Sequence, residues 1–302
     1  MLSVTHLESF LPAFLKALEH PKPTEWTVEM NPMTLTKPKL ELFRHHGVTR
    51  SSLGVQAWDE ITLEVLGRDH SPVQAEEAFQ LLREVKFPVV SLDLMFSIPG
   101  QTLQDWCANL DKSISLQPDH ISCYNLTYEE DTSFFERFQK GDYTRDEETD
   151  EAFFLQAMER LGAVGFEHYE ISNYAQPGFE SRHNQGYWKG NDYLGFGPSA
   201  VSTIDKVRTK NIPDTAQYMK MLAEGASPVS EAEHLTEDQW RCERLALELR
   251  TTAGIPAEWF TDQTECIDDL INEGFMIAVD NRLRLTRRGR LVADSVISHL
   301  WT

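Results

Sequence analysis

Four apolar, strand-like runs in the first half of the chain each end at a single polar residue, and helix-like segments separate the runs. Alternation of strands with amphipathic helices is typical of parallel sheets, in which crossover helices connect neighbouring strands. Ligands bind where the carboxyl ends of such strands meet. We therefore predict that the polar residues at the four run ends surround one pocket; they are Glu29, Gln56, Asp93 and Thr127.

The order of the predicted elements favours an α/β fold with a parallel sheet that is curled into an open or closed βα barrel. Helices are predicted over residues 4–18, 37–46, 59–66, 73–85 and 103–116, and strands over residues 25–29, 50–56, 88–95 and 120–126. A helix over 146–161 and a strand over 166–171 follow. The barrel is assigned to residues 1–170.

The rest of the chain differs in character. Residues 171–226 are rich in glycine, asparagine and aromatic side chains, which is typical of an ordered binding loop. Residues 227–302 have the pattern helix, helix, short hairpin, helix, with the hairpin turning at Asp280-Asn281. This pattern predicts a winged-helix-like α+β domain. Because the domain is poor in lysine and rich in acidic residues, we expect it to pack against the rest of the protein or to bind a partner protein, and not to bind DNA.

Charge and cysteine usage restrict the partners. The 302-residue chain carries 48 acidic and 28 basic residues, a net charge of -20, which argues against nucleic acid and leaves at most peripheral contact with an anionic membrane. The four cysteines are far apart, and no CxxC or CxxxC spacing occurs. Reduced thiols, a charged amino-terminal helix and no long uncharged run predict a cytoplasmic protein.

Five phrases in the first two thirds of the chain carry a family resemblance. They are Glu29-Met30-Asn31-Pro32, Ser52-Leu53-Gly54-Val55-Gln56, Leu66-Gly67-Arg68, Asp93-Leu94-Met95 with Ile98-Pro99-Gly100-Gln101-Thr102, and Tyr169-Glu170-Ile171-Ser172-Asn173. In this order they resemble the radical SAM proteins related to oxygen-independent coproporphyrinogen oxidase, an enzyme of porphyrin biosynthesis. The branch that the chain resembles most is that of the haem chaperones.

The resemblance implies an incomplete parallel βα barrel of the radical SAM, TIM-like type over residues 1–170, which lacks its first two strands and a helix. It also implies an S-adenosylmethionine site at the strand ends. Glu29 and Asp93 are expected to contact polar groups of this cofactor, with Gln56 and Arg68 close by, and Thr127 matches by position more than by motif. Carboxylates accept hydrogen bonds from ribose hydroxyls and an ammonium, while a guanidinium holds a carboxylate with two parallel bonds.

A second signature is His183-Asn184-Gln185-Gly186-Tyr187-Trp188, which resembles the HNxxYW motif of the haem chaperone branch. The resemblance implies that His183 ligates haem iron. Tyr187 and Trp188 are then expected to stack on the porphyrin. Without the family, the same phrase is more typical of a structured loop whose side chains cap backbone groups.

Two features of the family are missing. The chain has neither the CxxxCxxC motif that holds a four-iron, four-sulfur (4Fe-4S) cluster nor the glycine-rich GGGTP stretch. Full-length relatives carry the cluster, but this chain is not expected to hold one or to perform radical chemistry. Three explanations stay open: an N-terminally truncated gene model, a cluster-less relative kept for haem handling, or a partner polypeptide that completes the barrel.

Three functions follow from these observations. The first is a haem-binding chaperone that delivers haem to haem-accepting respiratory proteins. The alternative within the family is an oxygen-independent coproporphyrinogen III oxidase, against which the HNxxYW phrase argues. Outside the family, the residues alone also permit an ordinary βα-barrel lyase or hydrolase that uses Glu29 and Asp93 as acid and base.

Overall fold

The computed structural model describes residues 2–19, 21–127, 133–141, 147–260 and 264–301. The chain forms two compact units, an N-terminal unit of residues 1–182 and a C-terminal unit of residues 183–302. The three-part division drawn from the sequence stays a prediction.

The N-terminal unit alternates helices and strands as the sequence predicts. Its helices are α1 (Val4–Ala17), α2 (Lys37–His45), α3 (Glu60–Val65), α4 (Pro72–Glu84), α5 (Leu103–Ser115), α6 (Ser133–Gln139) and α7 (Glu147–Ala163). Its strands are β1 (Thr27–Met30), β2 (Arg50–Gln56), β3 (Val89–Phe96), β4 (His120–Asn125), β5 (Glu167–His168) and β6 (Asn173–Ala175). The strands form one sheet in the order β1-β2-β3-β4-β6-β5, in which β1 to β4 are parallel and β6 runs antiparallel to its neighbours. The predicted α/β class with a parallel sheet is confirmed.

The central strands have one apolar face, and this face builds the core. Leu53 and Val55 of β2 and Leu92 and Leu94 of β3 are all 0% exposed. They belong to one apolar cluster with helix side chains such as Trp106. Because side chains alternate along a strand, the opposite face of the same strands is left for polar residues.

A buried ion pair lies at the amino-terminal end of β2. Arg50 Nε donates to Glu25 Oε2 at 3.2 Å, and the two side chains are only 5% and 10% exposed. Arg50 Nη2 also donates to the carbonyl oxygens of Phe179 and Glu180, and Ser181 Oγ donates to Glu25 Oε1 at 3.1 Å. The pair therefore links the chain at residues 179–181 to β2 and to the segment just before β1.

The C-terminal unit contains two small antiparallel sheets. Its helices are α8 (Arg182–Trp188), which starts at the last residue of the N-terminal unit, α9 (Thr215–Ala223), α10 (Glu237–Glu248), α11 (Thr264–Asn272), α12 (Arg287–Leu291) and α13 (Ala293–Trp301). Its strands are β7 (Val201–Ile204), β8 (Val207–Asn211), β9 (Val229–His234), β10 (Ile255–Pro256), β11 (Met276–Val279) and β12 (Arg282–Leu285). The sheets have the orders β7-β8-β9 and β10-β12-β11. Around the second sheet, α10, α11, the β11–β12 hairpin and the helices α12 and α13 follow in the order that the sequence predicts, while a separate winged-helix-like domain over residues 227–302 stays a prediction.

The predicted loop over residues 171–226 differs from the structure. This segment contains β6, α8, β7, β8 and α9. Strands β7 and β8 are short and mostly half-buried, and the buried β6 has only three residues, so none of them shows the apolar alternation that identifies a strand in a sequence. Asparagine and glycine in the HNxxYW phrase are poor helix formers, which hid α8. The strand predicted over 166–171 is limited to Glu167–His168.

Candidate functional site

The polar face of the parallel sheet carries a carboxylate held by two serines. Ser52 Oγ lies 2.9 and 2.8 Å from the two carboxylate oxygens of Asp93. Asp93 is in register with Ser122 on β4, and Glu29 of β1 is in register with Ser52. These four residues lie on one face, because parallel strands in register present paired side chains to the same side.

Burial raises the pKa of Asp93 to about 6, although hydrogen bonds from Ser52 and Ser122 act to lower it. The nearby Glu29 carboxylate raises this pKa further. Asp93 is therefore predominantly ionised at neutral pH, and small changes in its surroundings alter its charge.

Gln56 lies at the same end of the sheet as Asp93. It ends β2 with a positive φ of 68°, next to a bulge at which Gly54 pairs with Asp93. A Cβ atom on Gly54 would lie 2.9 Å from Gln56 Nε2, so the missing side chain of the glycine leaves room for the glutamine amide. The structure thus brings together three of the predicted residues: Glu29, Gln56 and Asp93.

Arg68 and Thr127 are both exposed. Arg68 follows α3 and the turn at Gly67, whose φ is 62°. Thr127 follows β4 and precedes residues 128–132, which lie outside the described residues. Among the described residues, neither side chain makes a hydrogen bond to Asp93, so their part in a common pocket stays a prediction.

The turn after β3 adds two residues that the sequence analysis missed. Within the described residues, Ser97 Oγ and Gln101 Nε2 are buried and have no hydrogen-bond partner. Ser97 has a positive φ of 58°, which is costly for a residue with a side chain. Buried polar atoms without a partner are rare in folded proteins, which makes these two atoms candidates for contact with a polar ligand such as S-adenosylmethionine. Both residues stand in or beside the Ile98-Pro99-Gly100-Gln101-Thr102 phrase, which is the signal that could have identified them.

The cysteines do not fit a four-iron cluster. Cys123 is buried, and burial raises the pKa of its thiol far above the usual range. Cys107 Sγ lies 3.5 Å from Gln156 Oε1. Cys242 and Cys266 are in the C-terminal unit. The part of the chain that the structure describes contains no group of three or more histidine, cysteine or acidic side chains that could hold a metal ion.

We expect anaerobic reconstitution of the purified chain with iron and sulfide to yield no stoichiometric four-iron cluster, because the thiolates that hold such a cluster are not spaced to do so. Iron and sulfide analysis after desalting, together with visible absorption, measures this. About four irons per chain with the broad charge-transfer absorption of a cluster would contradict the expectation.

The HNxxYW residues lie on helix α8, which places His183 and Tyr187 four residues apart on one face. The Tyr187 ring meets the His183 imidazole edge-on, with centroids 4.9 Å apart and an interplanar angle of 88°. Tyr193 packs behind Tyr187 at 4.7 Å. His183 is exposed and Trp188 is half-buried. The histidine is therefore accessible and is supported from one side by two tyrosines.

His168 is a weaker candidate for an iron ligand. Its ring stacks on Tyr174 with centroids 4.2 Å apart. Its Nε2 atom lies 3.0 Å from the carbonyl oxygen of Ile171. A ligand at this position would have to displace both interactions.

Among the described residues, no helix has the length and apolar character that crossing a membrane requires.

Comparison with known proteins agrees with this fold. The family model of the radical SAM superfamily matches residues 5–112. The haem chaperone HemW of Bacillus subtilis is 34% identical over 283 residues, which cover 90% of this chain and 75% of the relative. The mitochondrial radical S-adenosyl methionine domain-containing protein 1 of Mus musculus is 32% identical, with coverage of 92% and 67%.

Among solved structures, coproporphyrinogen III oxidase (HemN) from Escherichia coli, a radical SAM enzyme, matches with a TM-score of 0.83. The match covers 100% of this chain and 75% of that one, at 18% identity. At this identity the likeness concerns the fold alone.

Proposed function

The chain belongs to the family of the haem chaperone HemW, within the radical SAM superfamily, and from this premise we propose that it binds haem through His183 and delivers it to haem-accepting respiratory proteins. The net charge of -20 favours at most peripheral contact with an anionic membrane, and the free cysteines fit a cytoplasmic place of action.

The observation that carries the proposal is the accessible imidazole of His183 on α8, supported by the edge-on ring of Tyr187. A neutral imidazole nitrogen is a good axial ligand for haem iron. A ring held on a helix face loses less freedom on binding than one on a loop, which favours ligation. Tyr187 and Trp188 supply aromatic surface beside it.

The function of a haem chaperone is favoured over that of a coproporphyrinogen oxidase. Relatives named as haem chaperones are 30–34% identical to this chain, whereas the oxidase structure is 18% identical. The HNxxYW phrase at residues 183–188, which resembles the motif of the chaperone branch, also supports the chaperone.

Titration of the purified chain with ferric haem tests the proposal. We expect a shifted Soret band that saturates at about one haem per chain, as one imidazole ligand requires. The loaded chain should then lose its Soret band when an apo form of a haem protein is added. A titration that never saturates, or a complex that never releases haem, would refute haem delivery.

For the radical SAM cofactor, we propose that Glu29, Gln56, Arg68, Asp93 and Thr127 contribute to an S-adenosylmethionine site at the carboxyl ends of the strands. The Ser52–Asp93 contact and the unsatisfied Ser97 and Gln101 atoms support it. In this site Asp93 would accept hydrogen bonds from the ligand's hydroxyl or ammonium groups, and Arg68 would bind its carboxylate.

The pH dependence of binding tests this site. Ionised Asp93 accepts hydrogen bonds and protonated Asp93 does not accept them as well, so affinity should fall as pH drops through the raised pKa of about 6. We expect calorimetric affinity for S-adenosylmethionine to be about tenfold weaker at about pH 5 than at about pH 7.5. Asp93→Asn should bind weakly and equally at both values. Wild-type affinity that does not change with pH would exclude Asp93.

A further inference from the structure

A cavity of about 280 Å³ lies in the C-terminal unit, beside the HNxxYW helix. Tyr187, Tyr193 and Trp240 line it, together with Ala246 of α10. Tyr187 is 41% exposed, so the wall that it forms is open to solvent. The volume is just below the range of about 300–1,000 Å³ that is usual for small-ligand pockets. The cavity is therefore large enough for part of a tetrapyrrole but not for a whole one.

The polar groups of the cavity are mostly neutralised. Arg208 and Glu243 form two parallel hydrogen bonds, of 2.9 and 2.6 Å. The guanidinium of Arg208 is already paired with the carboxylate of Glu243, and Glu233 lies 3.7 Å from it as well. An incoming carboxylate would therefore find no unpaired positive charge here. Thr203 is 3% exposed, and its Oγ1 atom has no hydrogen-bond partner within the described residues. The chemistry of the lining therefore favours an apolar, aromatic group over an acid.

The cavity lies one side chain away from the proposed iron ligand, because its wall residue Tyr187 also contacts His183. The rings of His183 and Tyr187 are in contact, and those of Tyr187 and Tyr193 are in contact behind them. Tyr187 thus has His183 on one side and the cavity on another. A flat ligand bound at His183 would extend past Tyr187 and could place one edge in the cavity.

We propose that this cavity binds the vinyl-bearing edge of the porphyrin whose iron His183 ligates, and that the propionates of the same porphyrin stay in solvent. The inference rests on the proposed haem binding and adds to it a second point of attachment. Iron ligation alone would accept any haem, whereas an apolar cavity selects among porphyrins by their edge substituents.

Filling the cavity tests the proposal. In Ala246→Phe, we expect the affinity for protohaem to fall at least about tenfold, because a bulky ring occupies the space for the edge. The Soret maximum of the saturated complex should stay where it is, since the iron ligand is unchanged. Deuterohaem, which lacks the vinyl groups, should bind wild-type protein more weakly than protohaem and should respond little to Ala246→Phe. Ala223→Phe on the exposed surface of α9 is the matched control.

Metal-free protoporphyrin IX separates this proposal from haem ligation. Its binding, followed by fluorescence, should survive His183→Ala and be lost in Ala246→Phe. If haem binding survives His183→Ala while Ala246→Phe still excludes the metal-free porphyrin, then iron ligation is wrong and the cavity stands. If Ala246→Phe binds protohaem and metal-free porphyrin as wild type does, then the cavity proposal is overturned.

Thr203→Val provides a second variant if the larger ring disturbs folding. It removes the unpartnered hydroxyl while keeping the shape of the side chain, and because this hydroxyl is already buried in the ligand-free protein, protohaem affinity should stay within about twofold of wild type. A tenfold or larger loss of affinity in this variant would show that the cavity needs a polar partner and would overturn the assignment of an apolar edge.

Discussion

Arg50→Met is expected to lower the free energy of unfolding of the N-terminal unit by about 3–5 kcal/mol. The substitution leaves the carboxylate of Glu25 buried without its cation, since the two side chains are only 10% and 5% exposed. It also removes the donor to the carbonyl oxygens of Phe179 and Glu180. Urea unfolding followed by far-ultraviolet circular dichroism measures the change.

The matched control breaks an exposed pair. In Lys37→Met the lost partner is Glu84, at 2.6 Å, and these side chains are 52% and 59% exposed. Water solvates the remaining charge, so the loss should stay below about 1 kcal/mol. Adding Glu25→Gln to Arg50→Met should restore part of the stability by removing the unpaired charge. Equal losses from Arg50→Met and Lys37→Met would contradict a structural role for the buried pair.

The sequence was informative where one face of an element is apolar. Strand β2 begins and ends at the predicted residues, Arg50 and Gln56, because its apolar side chains alternate with polar or small ones. The same alternation predicted which end of the sheet carries Glu29 and Asp93. It did not reveal Ser52 as the partner of Asp93, since the two are 41 residues apart and only the strand register joins them.

The C-terminal unit shows what composition leaves open. All six residues of β9 are exposed, so no apolar alternation identifies this strand, and the sequence analysis predicted none there. The cavity could not be predicted at all, because Tyr187, Tyr193 and Trp240 come from separate parts of the chain. The HNxxYW phrase indicated the residues of the proposed haem site, but not that they lie on a helix.

The second large effect is expected at the iron ligand. His183→Ala should weaken protohaem binding by at least about a hundredfold and abolish the shifted Soret band, because the chain then offers no imidazole on α8 to the iron. Loss of groups that merely support a metal ligand already costs about 10–100-fold in affinity, so loss of the ligand itself should cost more. Alanine at this position is exposed and compatible with a helix, so folding should be retained.

His168→Ala is the matched control. This histidine is half-buried, stacks on Tyr174 and lies with its Nε2 atom 3.0 Å from the carbonyl oxygen of Ile171. We expect its replacement to leave haem affinity and the Soret position unchanged, at some cost in stability. Thermal unfolding of both variants separates a loss of fold from a loss of ligand.

The most direct measurement is therefore a parallel titration of wild type, His183→Ala and His168→Ala with ferric haem, followed at the Soret band. Our account predicts a saturating shift in wild type and His168→Ala and none in His183→Ala. A shift that survives in His183→Ala and disappears in His168→Ala would contradict it and move the haem site to the strand of the N-terminal unit.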